Sequence, residues 1–279
     1  MIKTSEAFQA AIVGSPRRIE ILAVVDISDP DKTYGTATHS ALAPWSQPEE
    51  LHDKVMDTPS RYATLEPGRW RLDGTYQVFP DDYQVADGIG IASEALSGED
   101  GSFSPAFWIQ ENISNLSILQ ACSVFFSDDP VDGVPDTFAV EVLSGGTAYY
   151  TKTVTGNTAT EISLTGFTVH NPDAIRVTVS KWSLPGRRAR IVEIIPGIYE
   201  RWPNRILASF NAKHQGDISG LSLPYGSVTL RMDNKSRRFE PRSKTGVFDS
   251  IEERQGVEIY IGVVTASGGV ERCCLGVYY

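Results

Sequence analysis

Cysteine is scarce in this chain of 279 residues, with three in all: Cys122, Cys273 and Cys274. Two are adjacent, and side chains alternate faces along a strand, so they make poor partners for each other. No C-x-x-C occurs, which leaves a zinc site without a framework. The chain is not a disulfide scaffold and fits folding in a reducing cytoplasm. Histidine is equally thin. His39, His52, His170 and His214 stand apart, and neither H-E-x-x-H nor G-x-S-x-G is present. Carboxylate neighbours such as Glu49-Glu50 and Glu252-Glu253 are consecutive, which does not set up the facing pair of a glycosidase. No apolar run reaches about 18 residues, so no membrane insertion is expected. The start, MIKTSEAFQAAIVG, lacks a basic segment leading into a long apolar core, so it does not read as a secretory signal. Positive charge is outweighed, 25 Lys and Arg against 35 Asp and Glu, for a net charge of -10. That balance argues against nucleic acid as a partner. The basic runs Arg17-Arg18, Arg187-Arg188-Ala189-Arg190 and Lys235-Ser236-Arg237-Arg238 are short and read as solvated ends of strands and loops.

What is present is strand. Hydrophobic residues make up 41% and charged residues 22%, enough to build about two globular cores. Ile19, Ile21, Ala23, Val25 and Ile27 alternate with polar residues, the period of a half-buried strand. Between about 88 and 198, short strands recur: Ile118 to Phe126, Thr137 to Val142, Thr147 to Val154, Thr160 to Leu164, Ile175 to Val179 and Arg190 to Ile195. Turn signals such as Gly145-Gly146 and Gly156-Asn157 separate them, as in a sandwich or barrel. Within it Cys122 reads as a small core residue, and one of Phe107 and Trp108 must face the core. Helix is expected only at Ser5 to Ile12, stopped by Gly14-Ser15-Pro16. Residues 33 to 60 show no period and read as a long loop, of the kind that lies across a neighbouring subunit in an assembly.

Ser227 to Val263 is the most patterned stretch. Val228, Leu230 and Met232 alternate with polar residues, as do Val257, Ile259 and Ile261. Between them, Asp233-Asn234 opens a turn, and Arg238-Phe239-Glu240-Pro241 follows. This pattern resembles the hub and baseplate proteins of long-tailed bacteriophages. There a strand ends in a D-N turn, followed by R-F-x-P, a variable loop and a strand ending in I-G-V. Ala63-Thr-Leu-Glu-Pro-Gly-Arg-Trp-Arg-Leu-Asp-Gly74 is similar to a run that precedes an inserted domain in such proteins. Trp70 reads as a core or interface anchor. Leu275-Gly-Val-Tyr-Tyr279 still reads as strand, expected to continue in a longer chain or to be completed by a neighbour.

The middle of the chain is similar to galactose-binding-like jelly rolls, the discoidin and carbohydrate-binding-module type. The similarity rests on Trp108-Ile-Gln-Glu, Ile118-Leu-Gln-Ala-Cys-Ser-Val-Phe-Phe and the closing Arg190-Ile-Val-Glu-Ile. In that family the last strand turns its Arg and Glu outward, here Arg190 and Glu193. Together these resemblances imply a mainly β chain. An antiparallel jelly-roll sandwich, residues 82–198, would be inserted into a discontinuous tail-protein domain, residues 1–81 and 199–279.

The implied function is a structural, non-catalytic part of a phage or prophage tail tip or baseplate. It would be made in the host cytoplasm and carried in the virion. Other tail proteins and further copies of the chain are the expected partners, with bacterial surface polysaccharide as ligand. Sugars need a flat aromatic ring and hydrogen-bonding side chains beside it. The candidates are Tyr83 and Trp182 for stacking, with Asp128, Asp129 and Arg187 for hydroxyls. Phe103, Tyr149 and Tyr150 are further aromatics in the same strands and loops. No cofactor is expected. Loop 127–136 holds four carboxylates, and calcium favours such clusters. Its spacing does not follow D-x-D-x-D-G, so it reads instead as a solvated hairpin loop. Two alternatives stay open: a bacterial carbohydrate-binding or adhesion protein with no virion, and a glycan-cleaving enzyme.

Overall fold

The computed structural model describes residues 4, 6–29, 31–52, 66–67, 69, 91–127, 129–204, 207–215, 225–235, 237, 239–240, 255–264 and 270–278. One helix, α1 (Glu6–Val13), precedes β1 (Ile19–Ile27), β2 (Thr33–Tyr34) and β3 (Thr38–His39). A 3-10 helix, Pro48–His52, follows. Then come β4 (Ile91–Ala92), β5 (Ser102–Ser114), β6 (Ile118–Phe126), β7 (Pro135–Ser144) and β8 (Thr147–Val154). The next are β9 (Glu161–His170), β10 (Ala174–Trp182), β11 (Arg190–Ile195) and β12 (Ile198–Pro203). The last are β13 (Leu207–Gln215), β14 (Tyr225–Met232), β15 (Val257–Val264) and β16 (Val270–Tyr278). The chain divides into two compact units, one of Met1–Pro30 with Tyr199–Tyr279 and the other of Asp31–Ile198.

The Asp31–Ile198 unit is an antiparallel sandwich. One sheet runs β2-β5-β10-β7-β8, with β3 also paired to β5; the other runs β4-β11-β6-β9. From β5 to β11 the chain passes back and forth between the sheets, the alternation of a jelly roll. Period-2 patterning puts one set of side chains inside. Val177 on β10 sits between Ile109 on β5 and Val140 on β7, and all three are fully buried. Opposite them lie Cys122, Val124 and Phe126 of β6 and Ile191 and Ile194 of β11, in the same core. Each large side chain fully buried there contributes about 1.5–3 kcal/mol. Phe107 is the core member of its pair with Trp108, and Cys122 is a core residue as its setting implied.

Two expectations need correction. Residues 33–52 are not an unpatterned loop over a neighbour. Thr33–Tyr34 and Thr38–His39 pair with β5, and Leu51 is fully buried in the sandwich core. Paired stretches two residues long carry no period, so the sequence hides them. Arg190 and Glu193 do not face out: every residue of β11 is buried. The 3-10 helix packs against β11, and Arg190 is bound to Glu66 and Asp132. β14 and β15, although adjacent in sequence, are not sheet partners. β14 pairs with β13, and β15 lies between β1 and β16.

The discontinuous unit has its own sheet, β12-β1-β15-β16, and the ribbon β13–β14. Ala23, Trp202 and Ile259 form one core, with Phe210, Leu230 and Phe239 packed against it. Phe8 of α1 packs with Val263 and Cys273 in another. The Asp233-Asn234 turn is built by its own side chains. Asp233 Oδ1 accepts from Lys235 N at 3.0 Å, and Asn234 Oδ1 accepts from Phe239 N at 3.1 Å. Such local bonds are what Asp and Asn supply in turns. They deliver the Phe239 ring edge-on to Trp202, 5.4 Å between centroids. The D-N…R-F pattern therefore does structural work within this unit.

Candidate functional site

At one end of the sandwich the structure gathers three of the residues expected to bind sugar, but around a buried polar network. Trp182 is 1% exposed. Register shifts on either side of Lys181 turn the end of β10. The indole then lies in the core with its N–H donating to the Asp132 carbonyl at 2.6 Å. A stacking role for Trp182 is thereby excluded. Arg187 is also buried, and donates to the carbonyls of Val131, at 2.9 Å, and Pro67. Its guanidinium is committed to backbone, not free for hydroxyls. Asp129 Oδ1 accepts from Val131 N at 3.1 Å, fixing the loop. Tyr83 and Asp128 lie outside the described residues.

The centre of this network went unread in the sequence. Glu66 accepts from both terminal nitrogens of Arg190, and from Arg188 N at 2.8 Å. Asp132 Oδ1 accepts from Arg69 Nε at 2.5 Å and lies 3.4 Å from Arg190 Nη1. Asp132 Oδ2 accepts from Ser127 Oγ at 2.7 Å. Glu66, Arg69, Asp132 and Arg190 are each at most 5% exposed, two negative groups against two positive. Buried charges persist when paired and hydrogen-bonded in this way. Glu66, Pro67 and Arg69 of the tail-like run are thus anchored into the sandwich end. The spacing Glu66-x-x-Arg69 was visible, but its partners lie more than sixty residues away.

Open chemistry lies instead on the outer face of the larger sheet. Trp108, Gln110 and Asn112 of β5 point away from the core, as do Arg176 and Thr178 of β10 and Glu141 of β7. All six are partly exposed. Register puts Gln110, Arg176 and Glu141 in one row across three strands. Arg176 donates twice to Gln110 Oε1, at 3.1 and 2.7 Å. Gln110 Nε2 donates to Asn112 Oδ1 at 2.8 Å, and Asn112 Nδ2 to the Thr36 carbonyl at 2.5 Å. The Arg176 guanidinium lies 5.3 Å from the Trp108 ring centroid, within cation–π reach. Each side chain is held by its neighbour, so the row is preorganised. On β8 the outward Tyr149 is 70% exposed. By contrast Phe103 is buried, and Tyr150 stacks on Phe167 at 4.2 Å. This face offers aromatic rings beside amide, guanidinium and carboxylate groups. That is chemistry suited to a hydroxylated ligand with apolar ring faces.

The carboxylates of loop 127–136 within view are already engaged. Asp129, Asp132 and Asp136 each accept a hydrogen bond from a neighbouring protein donor. Among the described residues, no three His, Cys, Asp or Glu side chains are grouped to hold a metal.

No protein-family model and no curated protein matches the sequence. Some solved structures share a likeness. One is a mutant of the lectin binding domain of Lectinolysin complexed with Lewis b. It is 11% identical, with a TM-score of 0.39, over 61% of this chain and 93% of that one. Another is the family 32 CBM from C. perfringens NanJ in complex with galactose, at 13% identity and a TM-score of 0.36, over 63% and 99%. A Streptococcus pneumoniae fucose binding module gives 10% and 0.37, over 61% and 92%. At TM-scores this low the likenesses carry no argument about ligand or site.

Proposed function

We propose that the chain is a non-catalytic carbohydrate-binding component of a phage or prophage tail, and that its sandwich binds bacterial surface polysaccharide on the outer face of the larger sheet. One observation carries the binding half: a partly exposed Trp108 set in the hydrogen-bonded row of Arg176, Gln110 and Asn112. A pyranose has an apolar face that can lie against an indole, and equatorial hydroxyls that bond amides and guanidinium. Strands about 4.8 Å apart, rising about 3.4 Å per residue, put Trp108 and Tyr149 roughly 20 Å apart on a flat reckoning. A chain of several sugars suits that span better than one ring.

The tail half rests on the sequence resemblance of the flanking segments. Of those segments, Met1–Pro30 and Tyr199–Tyr279 form a separate discontinuous unit, which suits a sandwich inserted into a carrier, while the tail-like run around Glu66 and Arg69 belongs to the sandwich unit. Weak single sites suffice where several copies are displayed, because linkage raises avidity by about 10²–10⁴. Further copies of the chain and other tail proteins are its proposed partners.

Two experiments separate the halves. A multimerised full chain on an array of bacterial surface polysaccharides tests binding. Gold-labelled antibody against the chain, applied to particles from an induced lysate, tests location. Binding without label on tails leaves a carbohydrate-binding protein outside the virion. Label without binding leaves a structural tail part.

A further inference from the structure

Glu111 sits where a carboxylate is least expected. It lies on the inward face of β5, between Ile109 and Ile113, and is fully buried. Its strand neighbour on β10 is Ile175, also fully buried. Neither carboxyl oxygen accepts a hydrogen bond from the protein. Among the described residues, the positive candidate beside it is His52 Nδ1, 3.3 Å from Oε1. His52 ends the 3-10 helix, and its ring is stacked on Tyr34 of β2, 4.1 Å between centroids and 6° from parallel. Tyr34 in turn pairs with Ile113. One ion pair thus ties together the helix, β2 and β5, the two ends of segment 31–52 and the sheet beneath it.

We infer that His52 and Glu111 form a proton-dependent latch, which holds segment 31–52 on the sandwich and loosens as the pair gives up its proton. An anion at Glu111 with no imidazolium beside it would be a bare charge among isoleucines, which is costly. A single proton on the pair avoids that, as neutral acid or as ion pair.

Among the described residues, the surroundings supply no replacement cation. The 3-10 helix adds Glu49 and the buried Glu50. β11, packed on that helix, carries Glu193 and an Arg190 bound to Glu66 and Asp132. On β2 the phenol of Tyr34 has Lys32 beside its ring, 6.0 Å from the centroid. On β3 the His39 ring bonds the Ser40 carbonyl. On β10, Arg176 is on the outer face, away from Glu111.

Burial pushes the Glu111 carboxyl above its ordinary range, and the neighbouring His52 opposes this only in part. The sign follows. A group whose acid is strengthened on unfolding stabilises the docked state most at low pH, and that stability is lost as pH rises through the raised value. Docking is therefore firm in mild acid and weaker in alkali. Segment 31–52 also frames the outer face: Thr36 accepts from Asn112, and Ser40 N donates to the Trp108 carbonyl. A pH effect on ligand binding would follow, and that consequence alone rests on the reading above.

The test is amide hydrogen exchange on the full chain from about pH 5 to about pH 9, an interval that lies above ordinary glutamate titration and so reports only a raised carboxyl. Protection of the amides of Gly35, Ser40 and Ala43, corrected for intrinsic rate, is expected to fall several-fold as pH rises. In Glu111→Gln it should stay level. A level profile in the unaltered chain, or the same fall in the variant, overturns the latch. If the variant misfolds, carbon-13 titration of glutamate carboxyls in the unaltered chain decides. Glu111 must then titrate above the exposed glutamates, and titration alongside them overturns the latch. A pH-dependent segment in a chain that binds no polysaccharide would keep the latch and discard the ligand reading.

Discussion

The Arg176 guanidinium lies over the Trp108 indole, 5.3 Å from its centroid, while two of its nitrogens hold Gln110. The pair is diagonal across β5 and β10, within reach of long side chains on one face of a sheet. Arg176 thus fixes the ring edge of the candidate surface and the amide beside it. Arg176→Ala should release both. Ligand affinity is expected to drop while the melting temperature changes little, because an exposed cation–π contact contributes only about 0.5–1 kcal/mol. Thermal unfolding beside a binding isotherm checks this. A large loss of stability would instead make Arg176 a structural residue.

Asp132 meets Arg69, Arg190 and Ser127 through its carboxylate and Trp182 through its carbonyl. Asp132→Ala leaves two buried guanidiniums short of a partner. The expected cost is roughly 3–5 kcal/mol. Urea unfolding measures it, and a loss of less than about 1 kcal/mol would show that the network relaxes around the gap.

Gly101 has a φ of +82°, and a Cβ there would stand 2.3 Å from the Trp182 carbonyl oxygen. That oxygen is backbone and cannot swing away. Gly101→Ala should cost more than the roughly 1–2 kcal/mol of the left-handed conformation alone. The same thermal or urea measurement reads it.

Cys122 is fully buried, and burial pushes its thiol up to about 12. A thiol held protonated is a poor nucleophile. Under native conditions near neutral pH, Cys122 should resist alkylation, then react once the chain is unfolded. Mass mapping after timed labelling gives the answer. Fast native labelling at Cys122 would show that the sandwich opens locally.

Much of the fold was legible because burial alternates along strands. Ile118 to Phe126 and Arg190 to Ile195 were readable to the residue, and Phe107 with Trp108 was readable as a core-and-surface pair. What the sequence hid was non-local. Two-residue strands such as Thr38–His39 exist only through their pairing with β5. Arg190 and Glu193 were expected to face solvent because the jelly-roll resemblance implies it, and a resemblance in one strand does not show what covers that strand. The site was read less well for the same reason. Trp182 follows a run of strand residues and precedes Ser183-Leu-Pro-Gly186, which suggests a loop. Only the carbonyl of Asp132, fifty residues earlier, shows where its N–H goes. Trp108 was seen, but Arg176 and Gln110 join it only through strand register.

The most direct test of the account is binding of multimerised full chain to bacterial surface polysaccharides, with Trp108→Ala beside it. The unaltered multimer should bind. The variant should keep its fold, since Trp108 lies outside the core, and lose about tenfold or more in affinity, equivalent to ~1.4 kcal/mol. Equal binding by the variant would remove the outer sheet face as the site. No binding by the unaltered multimer to any polysaccharide would contradict the carbohydrate-binding reading itself.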